Sequence, residues 1–399
     1  MARHLNILMI SHFPRYKTFA RSHSMAKHLV QRGHQVTLLA TSDHNTGSVN
    51  ESTWDGVHMI ESPDLLWGRL RSGWDLWDLL NRIIYLSHDK GPYDLIHCFE
   101  TRPATIYPAL YYRNRHKLLF VTDWNDWWGR GGIINEFRPV WYRFLFGGIE
   151  TYYEEAFRVK ADGATVISTA LAKRACSLGL PAENIHHIPG GALTDAFAFR
   201  STEECRNRFG FPLSDLIIGY SSYDQHVEVE FMMQALLLIA KKYPTAKLLI
   251  TGKTSKDFMA LASKNKVENN LILTGLVPYD ELPWYLGCSN VFVLPFPNKP
   301  YNIGRWPNKL GDFLSLGRPI VSNPIGDVER LLGDNQIGLL AEWDPTDFAE
   351  KIVSLFENKD MAFEFGKNAR QLAVTKYDWR LLAEGLESFY YKLMDNDTR

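Results

Sequence analysis

The sequence predicts an α/β protein built from two parallel-sheet domains, each sheet covered by helices on both faces. Three observations carry that prediction. Short apolar runs of strand length alternate with longer stretches of helical period almost throughout, the pattern that builds parallel sheets wrapped by helices. The whole pattern occurs twice, with polar and turn-forming residues 197–211 between the two runs. The chain has 399 residues, more than a single hydrophobic core usually serves, so two domains are expected.

The elements follow in order. Apolar runs at 5–11, 35–40, 94–99, 117–122, 164–168 and 185–188 are the strands of the first half. Helical stretches at 20–32, 103–113, 140–159 and 170–178 lie between them. The second half has strands at 216–220, 246–251, 271–274, 291–294, 319–322 and 338–341. Helical segments at 345–357, 361–376 and 378–394 close the chain. The division expected is 1–200 for the first domain, 201–376 for the second, and a final helix from 377 to 399 that returns to the first.

Composition narrows the function classes. Hydrophobic residues make up 45% and charged residues 22%, ordinary for a water-soluble globular chain. A net charge of -1 offers no basic surplus for nucleic acid. The cysteines Cys98, Cys176, Cys205 and Cys288 form no C-x-x-C pair, which speaks against a structural zinc or a disulfide framework and fits a reducing compartment. The apolar run after Met1 is short and broken by Asn6, so it reads as a strand and not a signal-peptide core. No run approaches the roughly 20 residues of a membrane span. A cytoplasmic protein is expected, with room for peripheral contact at the inner face of a membrane.

Ligands of open parallel sheets bind beyond the carboxyl ends of the strands, so the loops after strands hold the candidates. The loop after 291–294 runs through Pro295-Phe296-Pro297 to Arg305-Trp306-Pro307-Asn308-Lys309. Proline favours the first helical position, so a helix starts at Pro307 and turns its free amides and dipole toward an anion. Lys309 and Arg305 add positive charge. Asp312 shares a helix face with Asn308 and Lys309 and is placed to take ribose hydroxyls. The alternative is an ordinary helix start with a solvated Asp312–Lys309 pair.

A second loop reads Asp123-Trp124-Asn125-Asp126-Trp127-Trp128-Gly129-Arg130-Gly131-Gly132. Two carboxylates, three indoles for stacking and a glycine-rich end suit carbohydrate; the alternative is tryptophan packing with a capping aspartate. Glu100 and Arg102, at another strand-to-helix turn, are candidates for acceptor contact or a structural ion pair. The loop 12–21 carries Arg15, Lys17 and Arg21, which suit phosphate from a donor or a lipid-linked acceptor. Trp74, Trp77, Leu80 and Ile84 form one helix stripe, with Asp75, Asp78 and Arg82 opposite. The apolar stripe is expected to face its own domain, with a membrane surface or acceptor groove as the alternative; upstream lie Trp67, Arg69 and Arg71.

Other signals are set aside. Gly252-Lys253-Thr254 lacks the first P-loop glycine, since position 247 is Lys247. Asp395-Asn396-Asp397 follows no strand, and His186-His187 reads as packing. Neither G-x-S-x-G nor G-x-G-x-x-G is present.

The segment Pro307-Asn308-Lys309-Leu310-Gly311-Asp312, continuing to Gly317-Arg318-Pro319, resembles the donor-binding signature of retaining GT-B glycosyltransferases, glycosyltransferase family 4 in particular. Other segments agree in order: Arg32-Gly33-His34-Gln35-Val36-Thr37, Val166-Ile167-Ser168, Ile188-Pro189-Gly190-Gly191, Leu248-Leu249-Ile250-Thr251-Gly252, and Thr274-Gly275-Leu276-Val277. The resemblance spans nearly the whole chain. It implies a GT-B fold of two Rossmann-like domains facing across a cleft. It implies transfer of a hexose from a nucleoside diphosphate sugar, used as co-substrate with no cofactor or metal, and with retention at the anomeric carbon. The acceptor would be a glycan, a lipid-linked molecule or a small molecule, as in cell-envelope polysaccharide synthesis. Donor-binding positions by this resemblance and the reading above are Gly191, Ser221, Ser222, Lys253, Val277, Arg305, Asn308, Lys309 and Asp312. Asp123 and Asp126 are the catalytic candidates, and Glu100, Arg102, Trp124 and Arg130 the acceptor-binding ones. Asp312 stands where the family has the second glutamate of E-x7-E. The first would fall at Gly304, so this sequence lacks it. The family's Arg and Lys after the first strand of the second domain are also missing from Ser221-Ser222-Tyr223-Asp224-Gln225-His226. Two other readings remain: a GT-B epimerase or hydrolase acting on sugar nucleotides, and a member that binds without catalysis.

Overall fold

The computed structural model describes residues 3–14, 21–42, 46–65, 73–89, 91–221, 226–254 and 257–397. The chain divides into two compact units: Met1–Pro189 with Trp379–Arg399, and Gly190–Asp378. Residues 190–200, grouped with the first half on sequence, thus belong to the second unit.

The first unit carries β1 (Asn6–Pro14), α1 (Arg21–Gln31), β2 (Gln35–Thr41), β3 (Asn50–Trp54), β4 (Val57–Ser62), α2 (Leu76–His88), β5 (Leu95–Phe99), α3 (Pro103–His116), β6 (Leu119–Trp124), α4 (Ile133–Phe137), α5 (Val140–Ala156), β7 (Gly163–Val166), α6 (Thr169–Ser177) and β8 (Ile185–His187). Among the described residues its strands form one sheet in the order β3-β4-β2-β1-β5-β6-β7-β8. Every pair is parallel except the β3–β4 hairpin. The periodicity reading missed that hairpin because β3 is polar and His58 and Glu61 break up the apolar residues of β4. Its signal was the Asp55-Gly56 turn, where both residues take positive φ (51° and 77°), the geometry a two-residue hairpin requires.

The second unit holds α7 (Thr202–Phe209), β9 (Ile217–Ser221), α8 (His226–Lys242), β10 (Lys247–Thr251), α9 (Phe258–Lys264), β11 (Leu271–Gly275), α10 (Leu282–Gly287), β12 (Val291–Leu294), α11 (Pro300–Ile303), α12 (Lys309–Leu316), β13 (Ile320–Ser322), α13 (Gly326–Asn335), β14 (Gly338–Leu340), α14 (Pro345–Glu357) and α15 (Lys359–Leu372). Its sheet is wholly parallel, in the order β11-β10-β9-β12-β13-β14. Ile218, Leu248, Ile250, Val291, Val293 and Val321 are fully buried, as expected of strands covered on both faces.

The closing helix, α16 (Trp379–Asp397), belongs to the first unit. Glu387 fastens it there, accepting from Arg32 Nε at 2.9 Å and meeting His34 Nε2 at 2.8 Å. Tyr390 reaches inside, where its hydroxyl meets His97 Nδ1 at 2.6 Å. In α2 the expected orientation is reversed. Asp78 and Arg82 are fully buried and bonded to each other at 2.6 Å, while Leu76, Trp77, Leu80 and Ile84 are exposed. The buried pair is satisfied by Thr41, which donates to Asp78 and accepts from Arg82, and by the Ser11 carbonyl, so the polar stripe has a better partner inside than in water.

The Glu387 anchor has a pH dependence of definite sign. Burial alone would raise its carboxyl, but the bonds from Arg32 and His34 outweigh that and hold it below the usual carboxylate range. A depressed carboxylate contributes stability that is present above its unfolded value and is lost as pH falls through the folded one. Burial likewise lowers His34 against the pull of Glu387, which again favours the fold at neutral pH over acid. Glu387→Ala is expected to destabilise the first unit by about 1–3 kcal/mol at pH 7. Thermal unfolding should show that deficit shrinking toward zero below about pH 4; a constant deficit would contradict the assignment.

Candidate functional site

In the second unit the loops after β9 to β13 leave the carboxyl edge of the sheet, where such folds bind ligands. The loop after β12 is pinned by Asn323. Its side chain accepts from Phe296 N at 2.9 Å and donates to the Ala341 and Glu342 carbonyls at 2.9 and 3.0 Å. The sequence reading did not single out Asn323; an asparagine directly after a strand and before Pro324 was the available signal. Past α11, Leu310 N already donates to Pro307 O at 2.9 Å, so the coil begins where the proline predicts, two residues before α12 proper. Asn308 is the exposed N-cap and makes no side-chain cap bond.

Several side chains converge on this helix start. Lys309 Nζ donates to the Ser221 carbonyl and lies 5.0 Å from the Tyr220 ring centre, which ties α12 to the end of β9. Arg305 stacks on Phe296 at 4.5 Å and pairs at 3.4 Å with Glu228 in the first turn of α8. The backbone of Gly191 abuts α12: a Cβ on Gly311 would come within 2.4 Å of Gly191 O. Two buried donors, Arg305 Nε and Trp306 Nε1, have no protein acceptor among the described residues. Buried N–H groups are rarely left that way. Asp312 is half-buried in the first turn of α12, and burial pushes its carboxyl up to about 8. At neutral pH it therefore carries a proton and can both donate and accept. Tyr279 stands near enough for Asp312 to add to the effect of burial in raising its hydroxyl.

The other second-unit candidates are less engaged. Lys253 is exposed after β10 and Val277 half-buried after β11. Both are on loops of the same sheet edge, and neither bonds to the cradle among the described residues. Ser222 lies outside the described residues, as do Arg15, Lys17, Trp67, Arg69 and Arg71. Gly304 closes α11, donating to Pro300 O at 2.9 Å, and supplies no carboxylate. An apolar groove of about 610 Å³, lined in part by Phe199, Leu216, Pro319 and Phe363, opens at the amino ends of the strands, away from this cradle.

In the first unit the structure corrects two expectations. β6 runs to Trp124, two residues beyond the predicted end, so Asp123 and Trp124 sit inside the sheet and not in a loop. Asp123 is 1% exposed; both its carboxylate oxygens accept from Arg21 Nε at 3.0 Å, and the Thr165 hydroxyl donates to one of them. A hydrogen-bond chain continues from Thr165 to His97 at 3.1 Å and on to Tyr390 of α16. Such a carboxylate holds the unit together and offers no oxygen to a substrate. Trp124 is fully enclosed, with Arg158 over its ring at 4.3 Å and its Nε1 donating to Asp126 O and Glu154. It has no face on which a sugar can stack.

Glu100, Arg102 and Asp126 do come together. Glu100 follows β5 with φ 64°, a left-handed conformation that is costly for a residue with a side chain and is found at functional sites. Its carboxylate accepts from Asn125 N at 3.3 Å and from Arg158 at 3.4 Å. Burial pushes it up to about 7 against Arg158 and Arg102, helped by Asp126 and Asp123. Arg102 stacks on Trp128 at 4.9 Å. Glu100, Arg102 and Trp128, with Trp74, Glu150 and Glu154, line a cavity of about 20 Å³, room for about one water. Arg130 is exposed nearby, its carbonyl accepting from Trp127 Nε1 at 2.8 Å.

Glu154 organises this loop, and the sequence reading passed over it. It accepts from Trp128 N at 2.7 Å, Gly129 N at 2.6 Å and Trp124 Nε1 at 3.1 Å. A Cβ on Gly129 would fall 2.3 Å from its Oε2, so the close approach needs glycine there. The available signal was an acidic pair, Glu150 and Glu154, on one face of an otherwise aromatic helix.

Comparison with known proteins accords with both halves. Residues 21–195 match the model described as Glycosyltransferase Family 4, and residues 216–358 the model described as Glycosyl transferases group 1. The chain is similar to a GDP-mannose-dependent alpha-(1-6)-phosphatidylinositol monomannoside mannosyltransferase of Mycobacterium tuberculosis, 25% identical over 239 residues covering 57% of this chain and 61% of that protein. The alignment therefore spans under two thirds of that relative's length. Among solved structures, sucrose-phosphate synthase from Thermosynechococcus elongatus superposes with a TM-score of 0.75 at 17% identity, covering 99% and 100% of the two chains. Anabaena Alr3699/HepE in complex with UDP and glucose superposes with a TM-score of 0.67 at 13% identity, covering 98% and 100%. Two parallel-sheet α/β units, the α12 cradle and the two family matches lead to one conclusion: the chain belongs to the GT-B glycosyltransferases of the family 4 type.

Proposed function

We propose that the protein transfers a hexose from a nucleoside diphosphate sugar to a glycan, lipid-linked or small-molecule acceptor with retention of anomeric configuration, and that it works at the cytoplasmic side of a membrane. The observation that carries this reading is the start of α12. Helix amides, Lys309, Arg305 and the Trp306 N–H gather there beside a carboxyl suited to a ribose. Developing negative charge on a departing diphosphate would be met by those fixed dipoles and cations, an electrostatic route that does not depend on a side-chain nucleophile. The C1–oxygen bond to the diphosphate breaks and its electron pair stays on the phosphate. The acceptor hydroxyl forms the new bond, and its proton passes to that phosphate oxygen. The cations at α12 make up for the Arg and Lys missing after β9, while Glu100, Arg102 and Asp126 offer a charged, partly protonated cluster for acceptor hydroxyls. The HepE complex with UDP and glucose and the GDP-mannose relative support a donor of this class. Gly304, in place of the family's first glutamate, favours one alternative, a member that binds donor without transferring it.

A thermal-shift panel of UDP-, GDP- and ADP-sugars should yield at least one stabilising donor, and a flat response to all would contradict the cradle. With that donor, Lys309→Ala should weaken affinity roughly 10- to 100-fold by titration calorimetry. Turnover of the same donor with lipid or glycan acceptors separates transfer from binding alone.

Asp312 gives an independent check. Its carboxyl keeps a proton up to about 8 in the folded chain, against about 3.9 in an unfolded one. Folding then takes up a proton between those values, so stability falls as pH rises through that window. Asp312→Asn should match the wild type near pH 4 and exceed its thermal midpoint by about 2 °C or more at pH 8–9, while losing donor response. Equal midpoints throughout would show that the carboxyl is not held protonated.

A further inference from the structure

Two helices of the first unit are turned inside out, and they lie on the same side of its sheet. In α5 the inward residues are polar: Glu150, Thr151 and Glu154 are buried. Its outward face carries Val140, Trp141, Phe144, Leu145, Ile149 and Tyr152, all exposed, with Phe144 87% and Val140 71% accessible. These recur at spacings of three and four, so they form one stripe. In α2 the buried Asp78–Arg82 pair likewise leaves Leu76, Trp77, Leu80 and Ile84 outside, with Leu76 67% accessible. Leu86 of α2, Ile106 and Tyr112 of α3, and Phe157 just past α5 share one core cluster. Trp74 also packs against Tyr153 of α5, ring centres 5.1 Å apart. The two apolar stripes therefore belong to one face of the unit.

We propose that this face, led by α5, docks on an anionic lipid bilayer, with its aromatic side chains entering the headgroup–acyl boundary. The stripe carries no carboxylate. The acids of α5 point inward or, for Glu155, pair with Arg174 at 2.5 Å. Arg138 and Arg143 stand at its start, and exposed Lys160 lies beyond its end; the exposed acid close by in sequence is Glu136, before the helix. Tryptophan and tyrosine with flanking cations and no acid suit the interface of an anionic membrane. Side chains that stand out as far as Phe144 and Val140 would need matching sockets on a protein partner; fluid lipid needs none. The proposal stands apart from the donor reading, since no residue in it belongs to the α12 cradle.

The test is flotation of the full chain with vesicles of phosphatidylcholine alone and of phosphatidylcholine with phosphatidylglycerol. The wild type should float with the anionic vesicles and far less with the neutral ones. Phe144→Glu and Leu80→Glu should each lower the vesicle partition constant roughly 10- to 100-fold, the cost of forgoing insertion of one large side chain. Both positions are exposed, so the variants should keep the wild-type thermal midpoint and donor-induced shift; a wild type that floats but shows no donor-induced shift would strike the donor reading alone. Flotation that is absent in the wild type, unchanged in both variants, or equal on neutral vesicles would overturn the proposal. So would sedimentation showing a wild-type dimer that Phe144→Glu dissolves, because the face would then join copies of this chain.

Discussion

The bond from Lys309 to the Ser221 carbonyl sets the geometry on which the rest of the α12 site depends. It draws the start of α12 against the end of β9, so a helix dipole, an ammonium and the neighbouring Arg305 guanidinium share one small volume. Glu228 balances Arg305 at the first turn of α8, and Asn323 holds the loops in register. Positive charge is concentrated at the start of α12, and burial is what raises the Asp312 carboxyl.

Much of this was legible from residue order. Apolar runs located twelve of the strands among the described residues because buried parallel strands have no polar face to blur them. The β3–β4 hairpin escaped because β3 is polar and His58 and Glu61 interrupt β4, so its turn chemistry marks it best. The helix start at Pro307, Asn308 and Lys309 was readable since helix starts have a local signature. The first-unit site was less so. Asp123 and Trp124 look like loop residues, yet Arg21, more than a hundred positions earlier in sequence, and Thr165 satisfy the aspartate inside the sheet. Such long-range partners leave no trace in local pattern. Glu154 left only the trace of an acidic pair on an aromatic helix, since what it holds is two backbone amides and an indole N–H from a distant strand and loop.

Buried polar groups also explain the inverted helices. Asp78 and Arg82 find each other, Thr41 and a carbonyl of β1. Glu150 and Glu154 find Tyr142 and the Trp128–Gly129 amides. Once those polar stripes are committed inward, helix geometry sends the apolar stripes outward. The face they create and the organisation of the Glu100–Arg102–Trp128 cluster are two consequences of one arrangement, since Glu154 serves both.

The central claim is that a nucleoside diphosphate sits at the start of α12. A crystal structure of the complete chain with the diphosphate of its best-stabilising donor tests it most directly. The account predicts diphosphate oxygens on the amides of Asn308 and Lys309, within hydrogen-bond reach of Lys309 Nζ, and the ribose on Asp312. Nucleotide bound elsewhere in the second unit, for instance in the groove between Phe199 and Phe363, with α12 unoccupied, would contradict it.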